Sequence, residues 1–440
     1  MAAPIVSAAA PPAAPLAPDA PRPSYAPALA SLTVLFFMMG FITCLNDILI
    51  PYLKGLFTLG YAEVNLVNFC FFGAYLVMGV PAGLLVKRLG YKGGMLVGFV
   101  VAALGAGLFF PAAEGRTFGL FLAALFVLAT GIVTLQVAGN PYVAILGPPE
   151  TASSRLSLTQ AFNSLATTIA PVLGARLILS HLPDLKLLTP AQAAALDVTS
   201  VQYLYLGIAA VLLLISGLLL FLRLPRIEHA PAAPEDTRRA WHYGHLLLGL
   251  VGIFTYVGAE VAIGSHIVSY LQQPEVVGLS AQAAGYQVAY YWGAAMVGRF
   301  VGIFLLRAVR PGRVLAANAV GAVVLLLISI NTTGAVAMWS LLAVGLMNSI
   351  MFPVIFTLAV AGLGRHTEDA SGLLSAAIVG GAVVPPLFGL VADSALGGGG
   401  VHALRLAFLL PAACYLYICW YGLKGHRPAA EAVAVPIQSV

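Results

Sequence analysis

Long apolar runs broken by short polar stretches set the rhythm of the chain. They fall at 28–52, 64–86, 92–112, 117–145, 158–180 and 202–224. After a charged stretch they resume at 244–272, 283–306, 313–331, 335–362, 372–394 and 403–423. A helix of about 18 or more apolar residues crosses the hydrocarbon core of a bilayer. The pattern therefore predicts an all-α polytopic membrane protein with twelve transmembrane helices. Residues 1–26 are Ala/Pro-rich, have no apolar periodicity and read as a disordered cytoplasmic tail. They lack the basic start and continuous apolar core of a secretory signal.

The twelve spans divide into two sets of six that resemble each other. Phe41-x5-Asp47 in span 1 lies 213 residues before Phe254-x5-Glu260 in span 7. Gln136-x4-Pro141 in span 4 lies 212 before Asn348-x4-Pro353 in span 10, and Pro171 lies 214 before Pro385. One near-constant offset, three times in order, indicates an internal repeat. Two parallel six-helix halves with a substrate site between them near the midplane are a transporter architecture. The predicted organisation is a tail at 1–26, a six-helix bundle at 27–225 and a cytoplasmic linker at 226–243. A second six-helix bundle at 244–424 and a tail at 425–440 complete it.

Composition agrees with the pattern. The chain is 60% hydrophobic and 8% charged, against roughly 25% charged in soluble domains. The 46 glycines and 28 prolines are tolerated in membrane helices, where neighbours re-satisfy the freed backbone groups. Cys44, Cys70, Cys414 and Cys419 lie in apolar segments without metal-site spacing, and read as reduced, buried small residues.

The net charge of +5 is better explained by orientation than by nucleic acid. With both termini cytoplasmic, the inner loops and tails hold Arg22, Lys87, Arg88, Lys92, Arg155, Arg223, Arg226, Arg238, Arg239, Arg307, Arg310, Arg313, Arg365, Lys424 and Arg427. The outer side holds Lys54, Arg116, Arg176, Lys186 and Arg405, and Arg299 lies within a span. Fifteen inside against five outside follows the positive-inside rule. The expectation is a multi-pass protein of a bacterial-type inner (plasma) membrane, monomeric in the lipid, with a small-molecule substrate and no nucleic-acid partner.

An ionisable group at mid-span costs roughly 2.5–3.5 kcal/mol on insertion scales, so it marks function. Two acids lie deep in apolar segments, Asp47 in span 1 and Glu260 in span 7. They are the candidate cation-coupling groups. A protonated role requires a carboxyl held neutral near working pH. An ionised role suits sodium, for which Asp47 is the candidate ligand. The amides Asn46, Gln136, Asn140, Gln160, Asn163 and Asn348 form a second polar layer. Gln136/Asn140 and Gln160/Asn163 each share a helix face. Amides both donate and accept, as sugar hydroxyls require; interhelical hydrogen bonding is their alternative use. Tyr256 and His266 complete the candidate substrate ligands, with Phe72, Tyr75, Tyr290, Tyr291 and Trp292 as possible stacking surfaces.

The turn GLLVKRLGYKGG after span 2 places Gly83, Lys87, Arg88, Gly90 and Lys92 where cations can pair with carboxylates or helix C-termini in one state of an inner gate. The segment 298–313 has a related layout. No nucleotide-binding loop or hydrolytic motif is present, so the chain reads as no enzyme and needs no cofactor. Transport is driven by a gradient or is passive.

GLLVKRLGYK resembles the loop signature of the major facilitator superfamily, GxLaDRxGRK. It departs from the pattern with Lys87 in place of Asp and Tyr91 in place of Arg. The stretches LNDILIPYLKGLF, QVAGNPYVAILGPPETASSRLSLTQAFNS, YVGAEVAIGS, YYWGAAMVGRFVG and NSIMFPVIFTLA resemble the fucose–galactose–glucose symporter family of that superfamily, most closely its glucose/galactose branch. The resemblance implies the major facilitator fold and import of a hexose with a co-transported cation, sodium or a proton. It also implies functional roles for Asp47, Gln160 and Asn163. The family's span 4 carboxylate is replaced here by Gln136, and a span 7 amide by Glu260. The coupling role is accordingly expected to divide between Asp47 and Glu260, with Gln136 binding sugar only. Neutral Gln136 tips the expectation slightly toward sodium. The competing functions are an uncoupled sugar facilitator or exporter and, from another class, a non-transporting sugar receptor.

Overall fold

In the computed structural model, the structure describes residues 25–57, 61–177, 199–222, 224–225, 239–394 and 400–427. At 44–57, 61–65, 68, 171–177, 200–201 and 281 only the backbone is described. The 1–26 tail apart from Tyr25 and Ala26, most of the 226–243 linker and most of the 425–440 tail lie outside these residues.

The described residues are helical, with no strand among them. α1 is Ala26–Phe57. Tyr61–Glu114 runs on from there and is divided at Gly90 into α2 (61–89) and α3 (91–114). Next come α4 (Phe118–Ile145), α5 (Ala152–Leu177) and α6 (Thr199–Phe221). α7 (Gly244–Leu271), α8 (Ala281–Ala308) and α9 (Pro311–Asn331) follow. α10 comprises Gly334–Asn348 and Met351–Val360, and α11 comprises Thr367–Ala376 and Gly380–Ala392. α12 comprises Gly400–Ala407 and Leu409–Trp420, closed by a π-helical turn at Tyr421–Gly425. The twelve helices match the twelve apolar runs.

Local chemistry sets the breaks. Gly90 has φ 72° and ψ 169°, a conformation open to glycine without a Cβ penalty. A Cβ on Gly94 would lie 2.6 Å from Val86. Eight residues along one straight helix stand about 12 Å apart, so the chain reverses at Gly90 and α2 and α3 form a hairpin. Pro141 in α4 and Pro353 in α10 lack the N–H that the carbonyl four residues earlier would accept. Those carbonyls belong to Val137 and Ser349, and both take side-chain donors from other helices: Ser371 Oγ donates to Val137 O at 2.9 Å, and Arg299 Nε to Ser349 O at 3.1 Å.

Among the described residues, ten stretches are long and apolar enough to cross a membrane, and 69–114 is long enough to cross twice. α5 is the remaining crossing. Its 26 residues reach about 39 Å, but Ser153, Ser154, Ser157, Thr159 and Ser164 make it polar, and all five are buried. A polar helix belongs inside the bundle rather than against lipid.

α5 lies between α1 and α8, and α11 lies against α2 and α4. Where helices from the two sequence halves meet, the contacts are small and polar. Gly79 and Gly83 of α2 pack on Gly372 of α11, and a Cβ on Gly83 would stand 2.9 Å from Glu368 O. Ser153 Oγ and Thr357 Oγ1 are 2.6 Å apart, and Ser154 Oγ donates to Ile303 O at 2.7 Å. Contacts of this kind give up little apolar burial when they part.

Candidate functional site

The two ends of the bundle differ in charge. Lys87, Arg88, Lys92, Arg155, Arg307, Arg310, Arg313, Arg365, Lys424 and Arg427 lie at or near the helix ends on one side, called the basic end below. Arg116 and Arg405 lie toward the other.

At the basic end the residues of the 83–92 turn have specific partners. Lys87 Nζ stands 2.5 Å from Asp369 Oδ2 in the first turn of α11. This joins residues 282 apart in sequence. The family signature has Asp where Lys87 stands, so this chain places a cation on α2 and the acid on α11. Lys92 Nζ donates to Leu220 O and Leu222 O at 2.9 Å each, capping the C-terminus of α6, where cations are favoured. Gly83 permits the close approach of α2 to α11 and Gly90 forms the turn; Arg88 is exposed. Arg155 donates to Val143 O at 3.1 Å, Ala144 O at 2.6 Å and Pro148 O at 2.9 Å, stapling the α4–α5 turn.

An exposed ion pair is worth about 0.2–1 kcal/mol, or up to about fivefold in a two-state population. Asp369→Asn is therefore expected to raise alkylation of a cysteine placed at buried Ser371 (Ser371→Cys) about two- to fivefold. The exchange Lys87→Asp with Asp369→Lys is expected to return it to the starting value. Equal alkylation in all variants would show that the pair does not hold this end closed.

Deeper in the bundle lies Glu260. Tyr256 and Glu260 are one helical turn apart on α7 and share a face. Tyr256 is buried, Glu260 half-buried. Tyr256 Oη and Glu260 Oε1 are both shielded from solvent and act on each other, and among the described residues neither has a well-formed hydrogen bond to a third group. Buried polar atoms are paired in the great majority of cases; here a carboxyl group and a phenol face each other in a part of the bundle shielded from solvent. The cation acting electrostatically on Glu260 is Arg299 of α8. No ion pair joins them in this state; the guanidinium bonds instead to Ser349 O and to Ser164 Oγ of α5.

The sequence-predicted amides separate into two groups. Asn348 is fully buried, and both ends of its amide are bonded. Its Nδ2 donates to Tyr291 Oη and its Oδ1 accepts from Tyr415 Oη, both at 2.7 Å. Tyr291 Oη in turn donates to Glu260 O at 3.2 Å. Asn348 therefore ties α8, α10 and α12 behind Glu260. Asn163 Nδ2 donates to Phe36 O at 2.9 Å, tying α5 to α1. Gln136 is half-buried, with Nε2 donating to Tyr75 Oη at 3.0 Å. Gln160 is half-buried, and Asn140 is fully buried with neither amide atom bonded among the described residues.

His266 lies further along α7, away from the basic end. Its Nδ1 is 2.8 Å from Ala262 O and its ring centroid 4.2 Å from that of Phe388. The backbone of Asn46 and Asp47 lies in α1, while their side chains are outside the described residues.

Arg299, Ser164, Tyr415 and Asp369 were not among the predicted site residues. The rule that flagged the two buried acids applies equally to Arg299, a cation inside an apolar run. Asp369 and Tyr415 carry no signal in sequence, because their partners are distant along the chain.

The chain matches the Major Facilitator Superfamily over residues 30–386. It is 54% identical over 406 residues to the glucose/galactose transporter of Brucella abortus (strain 2308), covering 92% of this chain and 95% of the relative. It is 36% identical over 413 residues to the L-fucose-proton symporter of Escherichia coli (strain K12), covering 90% and 92%. Among solved structures it resembles the Escherichia coli fucose:proton symporter FucP with a TM-score of 0.82 and 34% identity, over 91% of this chain and 99% of that one. The outward conformation of FucP gives 0.81 with the same identity and coverage. The chain belongs to the major facilitator superfamily and, within it, to the fucose–galactose–glucose symporter family.

Proposed function

We propose that this sugar transporter of the major facilitator type imports a glucose- or galactose-like hexose by cation symport through alternating access. Its coupling carboxylates are Asp47 and Glu260. The observation that carries the reading is Glu260: a mid-span carboxylate with Oε1 shielded from solvent, facing Tyr256 and under the charge of Arg299. The naming of a 54% identical relative as a glucose/galactose transporter supports the substrate class. Gln136, Asn140, Gln160 and Tyr256 are the foremost sugar ligands. Asn46 and His266 are further sugar-ligand candidates, and Asn163 and Asn348 hold the frame.

The presence of only two buried acids, together with neutral Gln136, tips the sequence expectation slightly toward sodium. Two related symporters carry the proton in their names, and one shielded carboxyl oxygen next to a phenol suits a single proton. The coupling ion is therefore read as a proton. The 27–225 and 244–424 bundles are the rocking units, with both termini and the basic end on the cytoplasmic side of the inner membrane. The Lys87–Asp369 contact then closes the cytoplasmic face.

The test is uptake into proteoliposomes over a hexose panel, with proton and sodium gradients imposed separately. Glucose or galactose concentrated by the proton gradient is the expected result. Equilibration without accumulation under either gradient would favour an uncoupled facilitator, and sugar-induced stabilisation without uptake a receptor.

A further inference from the structure

Tryptophan in a membrane protein ordinarily sits at the bilayer surface. Three of the four tryptophans here lie near helix ends: Trp241 just before α7, Trp339 in the first turns of α10 and Trp420 where α12 closes. Trp292 does not. It stands sixteen residues from the basic-end terminus of α8 at Ala308, as Glu260 does from that of α7 at Gly244. Both therefore lie about 24 Å along 28-residue helices. The face of α8 that carries Trp292 looks toward the other sequence half. One turn nearer the basic end, Met296 Sδ accepts from Thr168 Oγ1 of α5 at 3.7 Å, and Arg299 donates to Ser164 of the same helix. Trp292 itself is 41% exposed. Its other edge rests on α7. A Cβ on Gly264 would stand 3.1 Å from Trp292 Cζ2, so glycine there lets the indole lie close against the helix. Tyr256, Glu260 and Gly264 follow at four-residue spacing and form one stripe of α7. Tyr291, whose ring centroid is 5.1 Å from that of Trp292, ties the same turn of α8 to α7 by donating to Glu260 O. The indole thus stands at the end of the Tyr256–Glu260–Gly264 stripe, one turn from the carboxylate, on the side of α8 that faces α5.

We propose that Trp292 is the stacking platform for the hexose ring and favours galactose over glucose. An aromatic face carries negative charge and attracts C–H groups laid against it. In galactose the axial hydroxyl at the fourth carbon leaves three adjacent C–H groups together on the opposite face of the ring. In glucose that hydroxyl is equatorial, and the same three C–H groups alternate between the two faces. Galactose therefore offers the indole a continuous apolar patch, and glucose a broken one. With the ring laid on Trp292, the hydroxyls at its rim turn toward the polar stripe of Tyr256 and Glu260. Gly264 is a positioning residue in this arrangement: it sets how closely the indole lies to α7 and need not touch the sugar. The inference rests on the proposed hexose site beside Glu260.

The experiment uses the full chain in proteoliposomes and reads counterflow of labelled galactose and of labelled glucose. Trp292→Leu is expected to raise the half-saturating concentration about tenfold for galactose and about threefold or less for glucose, with the maximal rate little changed. Trp292→Phe keeps a smaller aromatic face and is expected to return most of the galactose affinity. A tryptophan with a merely structural role would lower the maximal rate for both sugars alike and leave the ratio of their half-saturating concentrations unmoved. A second measurement reads the indole directly. Trp241→Phe, Trp339→Phe and Trp420→Phe together leave Trp292 as the only tryptophan. Galactose laid on its ring is expected to shield its fluorescence from quenching by acrylamide. Should Trp292→Leu fail to fold, this shielding carries the test alone. Equal losses for the two sugars in Trp292→Leu would overturn the proposal. So would unaltered quenching at a galactose concentration that saturates counterflow by the same variant. A wild type that moves neither sugar would remove the functional reading and this inference with it; with a wild type that moves both, only the role of Trp292 is at stake.

Discussion

Glu260→Gln is expected to abolish accumulation of hexose while leaving its exchange across the bilayer in place. The substitution keeps the size and hydrogen-bonding reach of the side chain and removes its ability to carry and release a proton. One charge moved across 100 mV is worth about 2.3 kcal/mol, which corresponds to an accumulation ratio of about 50. In the variant that ratio is expected to fall to about one. Counterflow, which needs only the loaded carrier to reorient, is expected to persist, because Gln resembles a carboxyl that has kept its proton. Proteoliposome uptake of labelled glucose or galactose, with and without the gradient, measures both. Accumulation equal to wild type would assign coupling elsewhere, with Asp47 the first candidate.

The second large effect is on stability. Asn348→Leu is expected to cost about 2–4 kcal/mol, from leaving buried hydroxyls without partners at about 1–3 kcal/mol each. Tyr415 Oη loses its Asn348 acceptor, while Tyr291 Oη keeps its bond to Glu260 O and loses the amide donor. The sum is therefore placed below two full penalties. Thermal unfolding in detergent is expected to shift down by about 2–4 °C. An unchanged transition would show that the Tyr291–Asn348–Tyr415 chain does not hold α8, α10 and α12 together. Because Tyr291 touches the backbone of Glu260, sugar accumulation in Asn348→Leu is also expected to weaken.

Much of the architecture was legible from one dimension. Twelve apolar runs predicted twelve helices, since each span must satisfy its own backbone in lipid. The prolines at 141 and 353 marked matched positions in the repeat, and the structure shows their physical use: each frees a carbonyl, at Val137 and Ser349, that a side chain from another helix occupies. Lys87 and Lys92 were legible as cations in search of a carboxylate and a helix C-terminus. Which carboxylate was not, because Asp369 lies 282 residues away and nothing local ties the two.

The candidate site was legible in residue type more than in arrangement. A buried amide reads the same in sequence whether it faces a sugar or two tyrosines. Asn348 has its amide filled by Tyr291 and Tyr415, whereas the equally buried Asn140 bonds to neither side among the described residues. Only packing separates these cases. Arg299 was visible as a charge in a span, but its tie to Ser164 depends on how α5 lies against α8.

The most direct test of coupled import adds hexose to de-energised, weakly buffered proteoliposomes containing the wild-type chain and follows external pH. Proton symport predicts alkalinisation on adding glucose or galactose, in parallel with uptake and abolished by Glu260→Gln. Sugar uptake with no change in external pH would contradict it.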